Sequence, residues 1–320
     1  MSQGQSGDQP MLGFSPVRIA GQFPHTYNVL IDTDIGDDID DALALALALQ
    51  SPEIELRAIT TVFGDTLRCA QLASHLLRVY GRNDISVAVG RQEPLQPRHR
   101  PSGVPQAAIL NKNEEYVLSD CFGPELIVQT ALSHPGQLTL LCLGPLTNVA
   151  LALSIEPRLF MAIRSIVLMG GSSGTPLPEW NVRSDARAAQ IVLAAGVPVT
   201  MLGMNITMRC QLRKQDIEAL RNTHSPQTDL LSQLLAIWQR HRPRWHGKLP
   251  YLHDPLTVAA LCSPHLFRFE EMTVRVLTHG PFQGFMVPRV MDGPLVRAAV
   301  DVRVEEAREW VMKRILDFVR

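Results

Sequence analysis

Six aspartates lie within ten residues near the start of the chain, in the segment DTDIGDDIDD (32–41). Six like charges this close together repel one another unless a cation or solvent compensates for them. Carboxylate oxygens are hard ligands, which suit Ca²⁺ or Mg²⁺ better than zinc. The segment therefore predicts a site for a divalent cation, and the alternative is a solvated acidic turn in front of a helix.

Two other interpretations of this segment fit its residues less well. An EF-hand loop needs an oxygen donor at its fifth position and a glutamate at its twelfth, and the segment offers neither. A phosphatase of the haloacid dehalogenase type would use Asp32 as nucleophile and Asp34 as acid. That class expects a small hydroxyl or branched residue four positions after the nucleophile, where this chain has Gly36.

The cluster lies between a predicted buried strand, NVLID (28–32), and a predicted helix over 40–50. The helix is apolar on all sides, so we expect it to be buried and to hold the aspartates rigidly. Its first turn would contain Asp40 and Asp41, where the helix dipole favours negative charge. Because open α/β sheets bind ligands at the carboxyl ends of their strands, this position predicts a binding site.

Apolar runs typical of strands alternate with helical patterns along most of the chain. Strands are predicted at 28–32, 55–62, 86–90, 137–144, 165–171 and 197–203. Helices are predicted at 40–50, 66–80, 146–156 and 184–195, with a helical excursion near 210–250. This alternation predicts an α/β fold, with a mainly parallel, Rossmann-like open sheet and helices on both faces.

The composition is that of a packed protein and excludes several function classes. Of 320 residues, 46% are apolar and 19% charged, and the formal net charge is −1. This balance excludes intrinsic disorder and gives no bulk electrostatic basis for binding nucleic acid or an anionic membrane. No apolar run approaches the roughly 18–20 residues of a membrane span. Five cysteines without C-x-x-C spacing predict reduced thiols in a cytoplasmic protein.

The chain is predicted to form one domain, residues 25–320, after a flexible N-terminal tail, residues 1–24. The tail begins MSQGQSGDQP and has neither the basic start nor the apolar core of a signal peptide. The Pro- and Arg-rich segment 91–106 predicts a loop, because it is short for a linker and the same alternation resumes after it.

The aspartate cluster resembles the N-terminal signature of the inosine–uridine nucleoside hydrolase family. Further motifs similar to those of the family follow in the same order: TVFGD (61–65), GPLTNVA (144–150), LMGG (168–171), PEWN (178–181) and HDP (253–255). The ordered matches extend from about residue 28 to about residue 260. Each motif is weak by itself, but their common order makes the resemblance specific.

The resemblance implies one Ca²⁺ ion that holds the ribose and the attacking water. Its protein ligands would be the carboxylates of Asp34, Asp41 and Asp254 and the backbone carbonyl of Thr147. Asp34 would also be the general base, because a carboxylate beside a cation-activated water can accept its proton.

The resemblance also assigns residues to the substrate. Asp40 would bind a ribose hydroxyl, and Asp254 would contact the sugar as well as the metal. Glu179 and Asn181 resemble the residues that grip the sugar hydroxyls, and Met169 resembles one that packs in the pocket. His253 resembles the acid or gate on the side of the leaving base, a role that a side chain with a pKa near 6.5 can fill.

The function implied is hydrolysis of the N-glycosidic bond of a ribonucleoside or related riboside, giving ribose and free base through an oxocarbenium-like state. The substrate would be a small molecule in nucleoside salvage, and the enzyme a cytoplasmic homodimer or homotetramer. The alternative is a non-catalytic or divergent ribose-binding member of the same fold.

Several positions depart from the family pattern. The aspartate signature is two residues longer than the common form, so Asp37 and Asp38 remain alternatives to Asp40 and Asp41. Ser173 stands near the place of an asparagine that often contacts the 5′-hydroxyl.

Four further positions concern the nucleobase and the second motif. Asp65 stands where asparagine is common in the family, and His99 is a loose candidate for a missing histidine near the base. Trp245 and His246 precede the HDP motif and could stack on a base. These departures leave the base preference open.

Overall fold

The computed structural model describes residues 26–96, 103–111, 113–176, 178–241 and 247–317. Within these residues nine strands form one sheet, in the order β3-β2-β1-β4-β5-β6-β9-β7-β8. The strands are β1 (Tyr27–Thr33), β2 (Ile54–Thr61), β3 (Ser86–Val89), β4 (Leu138–Cys142), β5 (Ile163–Met169), β6 (Val199–Leu202), β7 (Phe267–Val276), β8 (Met286–Pro288) and β9 (Leu295–Val302).

Twelve α-helices accompany these strands within the same residues. They are α1 (Asp40–Leu49), α2 (Thr66–Val79), α3 (Gly123–Ser133), α4 (Thr147–Ile155), α5 (Leu159–Ala162), α6 (Trp180–Ser184), α7 (Ala186–Leu193), α8 (Met204–Thr207), α9 (Lys214–Asn222), α10 (Pro226–His241), α11 (His253–Cys262) and α12 (Val304–Leu316). The predicted helical excursion corresponds to α9 and α10. No helix of the described segments has the length and hydropathy needed to cross a membrane.

The sheet is parallel from β3 through β6, and β9 also joins β6 in parallel. The predicted α/β fold with a mainly parallel open sheet is therefore confirmed. The antiparallel edge, in which β7 pairs with both β9 and β8, was not predicted from the sequence. The predicted tail, residues 1–24, lies outside the described residues, and the single domain over 25–320 stays a prediction.

Both faces of the sheet are covered by apolar packing. Along β1, Val29 and Ile31 belong to one buried cluster, whereas Leu30 belongs to a second. Successive side chains of a strand point to opposite faces, so the two clusters lie on the two sides of the sheet. Burial on both sides explains why the strands are continuous apolar runs.

The strand order places a crevice at the end of β1. β1 pairs with β2 on one side and with β4 on the other, so the chain changes direction across the sheet at this point. Such a switch point opens a crevice at the carboxyl ends of the strands. Asp34 directly follows β1, and Gly36 makes the turn with a φ of 126°, a backbone conformation that only glycine adopts readily.

Candidate active site

A cavity of about 560 Å³ lies at this edge of the sheet. The volume is within the range of small-molecule sites, about 300–1,000 Å³. Its lining combines carboxylates with aromatic and aliphatic side chains. The carboxylates are Asp34, Asp37, Asp38, Asp40, Asp41, Glu179 and Asp254.

Three of these carboxylates converge on one point. Asp40 and Asp41 lie in the first turn of α1, and Asp254 lies in the first turn of α11, which packs against α1. Each residue offers one oxygen, and these oxygens lie within 4.8 Å of one another. All three residues are buried, with exposed fractions of 4–5%. Two helix N-termini therefore meet here, and their dipoles offset part of the negative charge.

The electrostatics of this trio favour a cation. Burial, and then the neighbouring carboxylates, raise the pKa of Asp40, Asp41 and Asp254 well above the ordinary value for an aspartate. The Thr33 hydroxyl donates to Asp41 Oδ1 at 2.5 Å and opposes this shift for Asp41. An all-oxygen cluster of buried carboxylates fits a hard divalent cation, and it could hold a metal ion.

Asp34 lies beside the trio at the end of β1 and also lines the cavity. Burial first, and then the charge of Asp40, raise the pKa of Asp34 well above its ordinary value. The turn after β4 approaches it closely, because a Cβ atom on Gly144 would lie 2.9 Å from Asp34 Oδ1. Glycine at position 144 thus leaves room for this carboxylate.

The extended signature forms a short acidic loop between β1 and α1. Asp37 is exposed and Asp38 is half-buried, with its own Oδ1 accepting a hydrogen bond from the backbone N–H of Ile39. Gln106 Nε2 donates to the backbone carbonyl of Asp38 at 2.6 Å and holds the loop in place. The structure thus brings Asp40 and Asp41, rather than Asp37, next to Asp254.

Thr147 is the predicted site residue that does not line the cavity. It is the first residue of α4, and its hydroxyl donates to Asp185 Oδ2 at 2.8 Å. A carbonyl in the first turn of a helix points along the axis, away from the strand edge. Leu143, directly after β4, lines the cavity instead, and its carbonyl accepts a hydrogen bond from Asn181 Nδ2 at 2.5 Å.

Glu179, Asn181 and Met169 all line the cavity. Glu179 is the N-cap of α6, where its carboxylate accepts backbone N–H bonds from Asn181, Val182 and Gly171 at 2.8–3.0 Å. Burial raises the pKa of Glu179, and these N–H groups oppose the shift. Asn181 Nδ2 also donates to the Met169 carbonyl at 3.1 Å, so the three residues form one packed unit.

His253 begins α11, one residue before Asp254. Its Nδ1 lies 2.7 Å from the Thr207 hydroxyl at the end of α8, which fixes the orientation of the ring. The Tyr251 ring lies against it, with centroids 5.6 Å apart and an interplanar angle of 41°. The cavity therefore places an ionisable ring beside the carboxylate trio.

Comparison with known proteins identifies the family to which the chain belongs. A family model described as inosine-uridine preferring nucleoside hydrolase matches residues 29–309, which include every side chain placed above. The chain belongs to this family. It is therefore a hydrolase acting on N-glycosyl bonds, and the resemblance found in the sequence is confirmed.

Named relatives agree with the family model. The chain is 36% identical over 275 residues to the pyrimidine-specific ribonucleoside hydrolase RihA of Citrobacter koseri, covering 81% of this chain and 87% of the relative. It is 31% identical over 324 residues to the probable uridine nucleosidase 2 of Arabidopsis thaliana, covering 90% and 97%. The plant nucleoside hydrolase PpNRh1 superposes with a TM-score of 0.82 at 28% identity, covering 92% and 100%.

In this nucleoside hydrolase a second polar group surrounds Asp32, which lies in β1 two residues before Asp34. Asp32 is fully buried in β1, and its Oδ1 accepts hydrogen bonds from Thr60 at 2.6 Å and Asn148 at 2.7 Å. Asn148 also donates to the Thr61 carbonyl and accepts from the Arg91 N–H. Burial raises the pKa of Asp32 to about 7, against the lowering effect of its two donors.

Sequence reasoning missed part of the apolar lining of this nucleoside hydrolase. Trp238 comes from α10, Met204 from α8, Met208 from the residue directly after α8, and Tyr251 from the segment before α11. From the sequence alone, Trp238, Met204 and Met208 are not distinguishable from ordinary core residues. Tyr251 carried a usable signal, since it is an aromatic residue two positions before a predicted catalytic histidine.

Two positions that depart from the family pattern lie outside the cavity. Ser173 is 2% exposed, and its hydroxyl donates to the Ala299 carbonyl at 2.6 Å, so it is turned into the fold. Asp65 is exposed and caps α2 by accepting from the Arg68 N–H at 3.1 Å. The candidates His99, Trp245 and His246 lie outside the described residues.

Proposed function

We propose that the protein hydrolyses the N-glycosidic bond of ribonucleosides with the help of one Ca²⁺ ion, releasing ribose and the free base. The observation that carries the proposal is the meeting of the Asp40–Asp41–Asp254 trio with His253 in one cavity. It supplies oxygen ligands for a cation and a sugar diol, next to a group that can protonate a leaving base.

The metal would be held by the carboxylates of Asp34, Asp41 and Asp254 and by the backbone carbonyl of Leu143. We place Leu143 in the set in place of Thr147, because Leu143 lines the cavity at the end of β4 whereas Thr147 does not. When bound, Ca²⁺ would supply positive charge that orients the ribose hydroxyls and lowers the pKa of the attacking water.

The chain's own residues would do the rest of the chemistry. Asp34 takes the proton of the attacking water, since its carboxylate lies beside the trio. Asp40, Glu179 and Asn181 bind the sugar hydroxyls, and Met169 packs against the sugar. As the glycosidic bond breaks, positive charge develops on the ribosyl ring, and the surrounding carboxylates stabilise it.

His253 would act on the other side of the bond. A departing nucleobase carries negative charge unless it receives a proton, and His253 is positioned at the start of α11 to donate one. The Thr207 hydroxyl holds the imidazole in place through Nδ1, so the ring does not have to be ordered during the reaction.

The base class is proposed from the relatives. One is named as pyrimidine-specific and another as a uridine nucleosidase. We propose a pyrimidine ribonucleoside, with uridine as the first to test.

The test is release of reducing sugar from uridine, cytidine, inosine and adenosine by chelator-treated protein, with and without added Ca²⁺. We expect Ca²⁺-dependent release of ribose, fastest from a pyrimidine nucleoside. Binding of nucleoside without turnover would favour the non-catalytic ribose-binding alternative. No release from any nucleoside, with Ca²⁺ restored, would overturn the proposed reaction.

A further inference from the structure

The segment just before α11 is held firmly by backbone contacts. The Leu212 N–H donates to the Pro250 carbonyl and the Leu252 N–H donates to the Cys210 carbonyl, both at 2.9 Å. Gln211 and Tyr251 form an isolated antiparallel bridge between these two bonds. The backbone on both sides of Tyr251 is therefore fixed, and so is the direction in which its side chain leaves the chain.

The Tyr251 side chain lines the cavity and is half-buried. Its ring lies against the His253 ring at 5.6 Å between centroids. Within the described parts of the chain, no group forms a hydrogen bond with its phenol oxygen. A tyrosine whose ring is packed and whose hydroxyl forms no hydrogen bond with the described residues is available to a ligand at both its apolar and its polar end.

The position of this ring relative to the carboxylates decides which part of a substrate it would meet. The trio occupies the first turns of α1 and α11, where a sugar diol would bind. Tyr251 precedes His253 by two residues, whereas Asp254 of the trio follows it. The Tyr251 ring packs against the His253 ring, and His253 is the group proposed to face the leaving base.

The other tryptophans and tyrosines that the structure describes near the cavity or in the core are placed less well for this role. Trp238 is 2% exposed and belongs to the apolar core around α10. Trp180 directly follows Glu179, on the side of the cavity where sugar contacts are proposed. Tyr27, Tyr80 and Tyr116 do not line the cavity.

We propose that Tyr251 is a specificity-determining residue that binds the nucleobase beside His253. Its ring packs against the planar base, and its hydroxyl, which both donates and accepts, bonds to the polar edge of the base. This inference rests on the proposed function, because it assumes that the cavity binds a nucleoside.

The test compares Tyr251→Phe and Tyr251→Ala with wild type. The matched control is Tyr80→Phe, which removes a buried hydroxyl that has no partner among the described residues and lies outside the cavity. The readouts are kcat/KM for uridine, cytidine and inosine, and the inhibition constants of free uracil and free ribose.

Tyr251→Phe should lower kcat/KM for the preferred nucleoside about tenfold and change the ratios among the three nucleosides, as expected for one lost hydrogen bond. Tyr251→Ala should weaken uracil inhibition by about 10- to 100-fold, because stacking of a base on an aromatic ring is also lost. Ribose inhibition should change less than about twofold in both variants, and the Tyr80→Phe control should match wild type.

Unchanged nucleoside ratios and unchanged uracil inhibition in both variants would overturn the inference. An equal loss of kcat on every nucleoside, with a displaced pH profile, would also overturn it, because Tyr251 would then act only by positioning His253. If wild type releases no ribose from any nucleoside, the proposed function itself fails. Calorimetric binding of uridine to wild type and Tyr251→Ala then tests the contact separately, and equal affinities would rule it out.

Discussion

Buried carboxylates occur in two arrangements at the same edge of the sheet. Asp32 and Glu179 are compensated by neutral donors: hydroxyl and amide groups for Asp32, and three backbone N–H groups for Glu179. Asp40, Asp41 and Asp254 instead face one another within 4.8 Å. Among the described residues, the Thr33 hydroxyl donates to Asp41, and the backbone N–H groups of Asp40 and Asp254 act on the Asp40 carboxylate and oppose the rise of its pKa.

The difference separates carboxylates that hold the fold from carboxylates that need a cation. A single buried charge is stabilised by two or three well-directed donors. Several charges at one point also repel one another, and neutral donors do not remove that repulsion. The trio is therefore the part of the molecule that a bound ion would stabilise. Asp32 has two neutral donors on Oδ1, although its Oδ2 has no hydrogen-bond partner among the described residues.

The largest expected effect tests the trio. Asp41→Asn should lower kcat/KM by about 10³-fold or more, because it would remove a proposed metal ligand and a bound metal ion can contribute several kcal/mol to such a reaction. The same change should raise the melting temperature of the metal-free protein, since one of three repelling charges disappears. Activity, metal content and thermal melting in chelator measure the three consequences.

Asp254→Asn provides a second variant for the same comparison. A lower melting temperature in chelator for both variants would contradict the comparison, because it would mean that the carboxylates of the trio stabilise the fold without a metal. A Ca²⁺ content equal to that of wild type in both would contradict the ligand assignment.

The next largest effect concerns His253. His253→Ala should lower turnover of uridine by about 10²–10⁴-fold, the usual range for a positioned acid, with little effect on ribose inhibition. The loss should be much smaller for a riboside with a nitrophenolate leaving group, which departs without protonation. Equal losses on the two substrates would rule out the acid role and leave His253 as a cavity wall.

A third prediction tests the compensated group. Asn148→Ala leaves the Thr61 carbonyl and the Arg91 N–H without their partner and leaves Asp32 with Thr60 alone. We expect a loss of about 2–3 kcal/mol in the free energy of unfolding, because buried polar groups become unsatisfied. Ca²⁺ affinity should stay close to that of wild type. Denaturant unfolding and metal titration measure both, and a large loss of affinity with intact stability would reverse the comparison.

The smallest effect concerns a carboxylate that is compensated by a positively charged side chain in an ion pair. Glu53 pairs with Arg314 through two contacts of 2.5 and 2.6 Å, and this lowers the pKa of Glu53 below its ordinary 4.5. A lowered pKa stabilises the fold above the ordinary value, and the gain is lost as the pH falls through the folded-state pKa. Glu53→Gln should cost at most about 1 kcal/mol at neutral pH.

That cost should shrink as the pH falls through the lowered folded-state pKa of Glu53, because Glu53 then becomes protonated in wild type as well. Unfolding by urea at pH 7 and at a series of acidic pH values provides the comparison. Leu316→Ala serves as a control, because Leu316 lies at the end of α12, the helix that carries Arg314. Its cost in the free energy of unfolding should not depend on pH, because an apolar side chain has no proton to gain.

Much of the site could be predicted because its signals are local. Asp34 follows an apolar strand, and Asp40 and Asp41 begin an apolar helix. Charges in this pattern need a cation or solvent to compensate for their repulsion. Most of the parallel part of the sheet could also be predicted, since the strands from β1 to β6 are continuous apolar runs. The antiparallel edge formed by β7, β8 and β9 was missed, because β7 and β9 mix charged and apolar residues and neither resembles those runs.

By itself, then, the sequence determined the aspartate cluster, the alternation of strands and helices, and the family. The tertiary structure decided which aspartates meet, because only the packing of α1 against α11 brings Asp254 to Asp41, more than 200 residues away in the sequence. It also places Leu143, and not the predicted Thr147, in the lining of the cavity. Such positions and distances follow from the packed fold and are not carried by residue type or spacing.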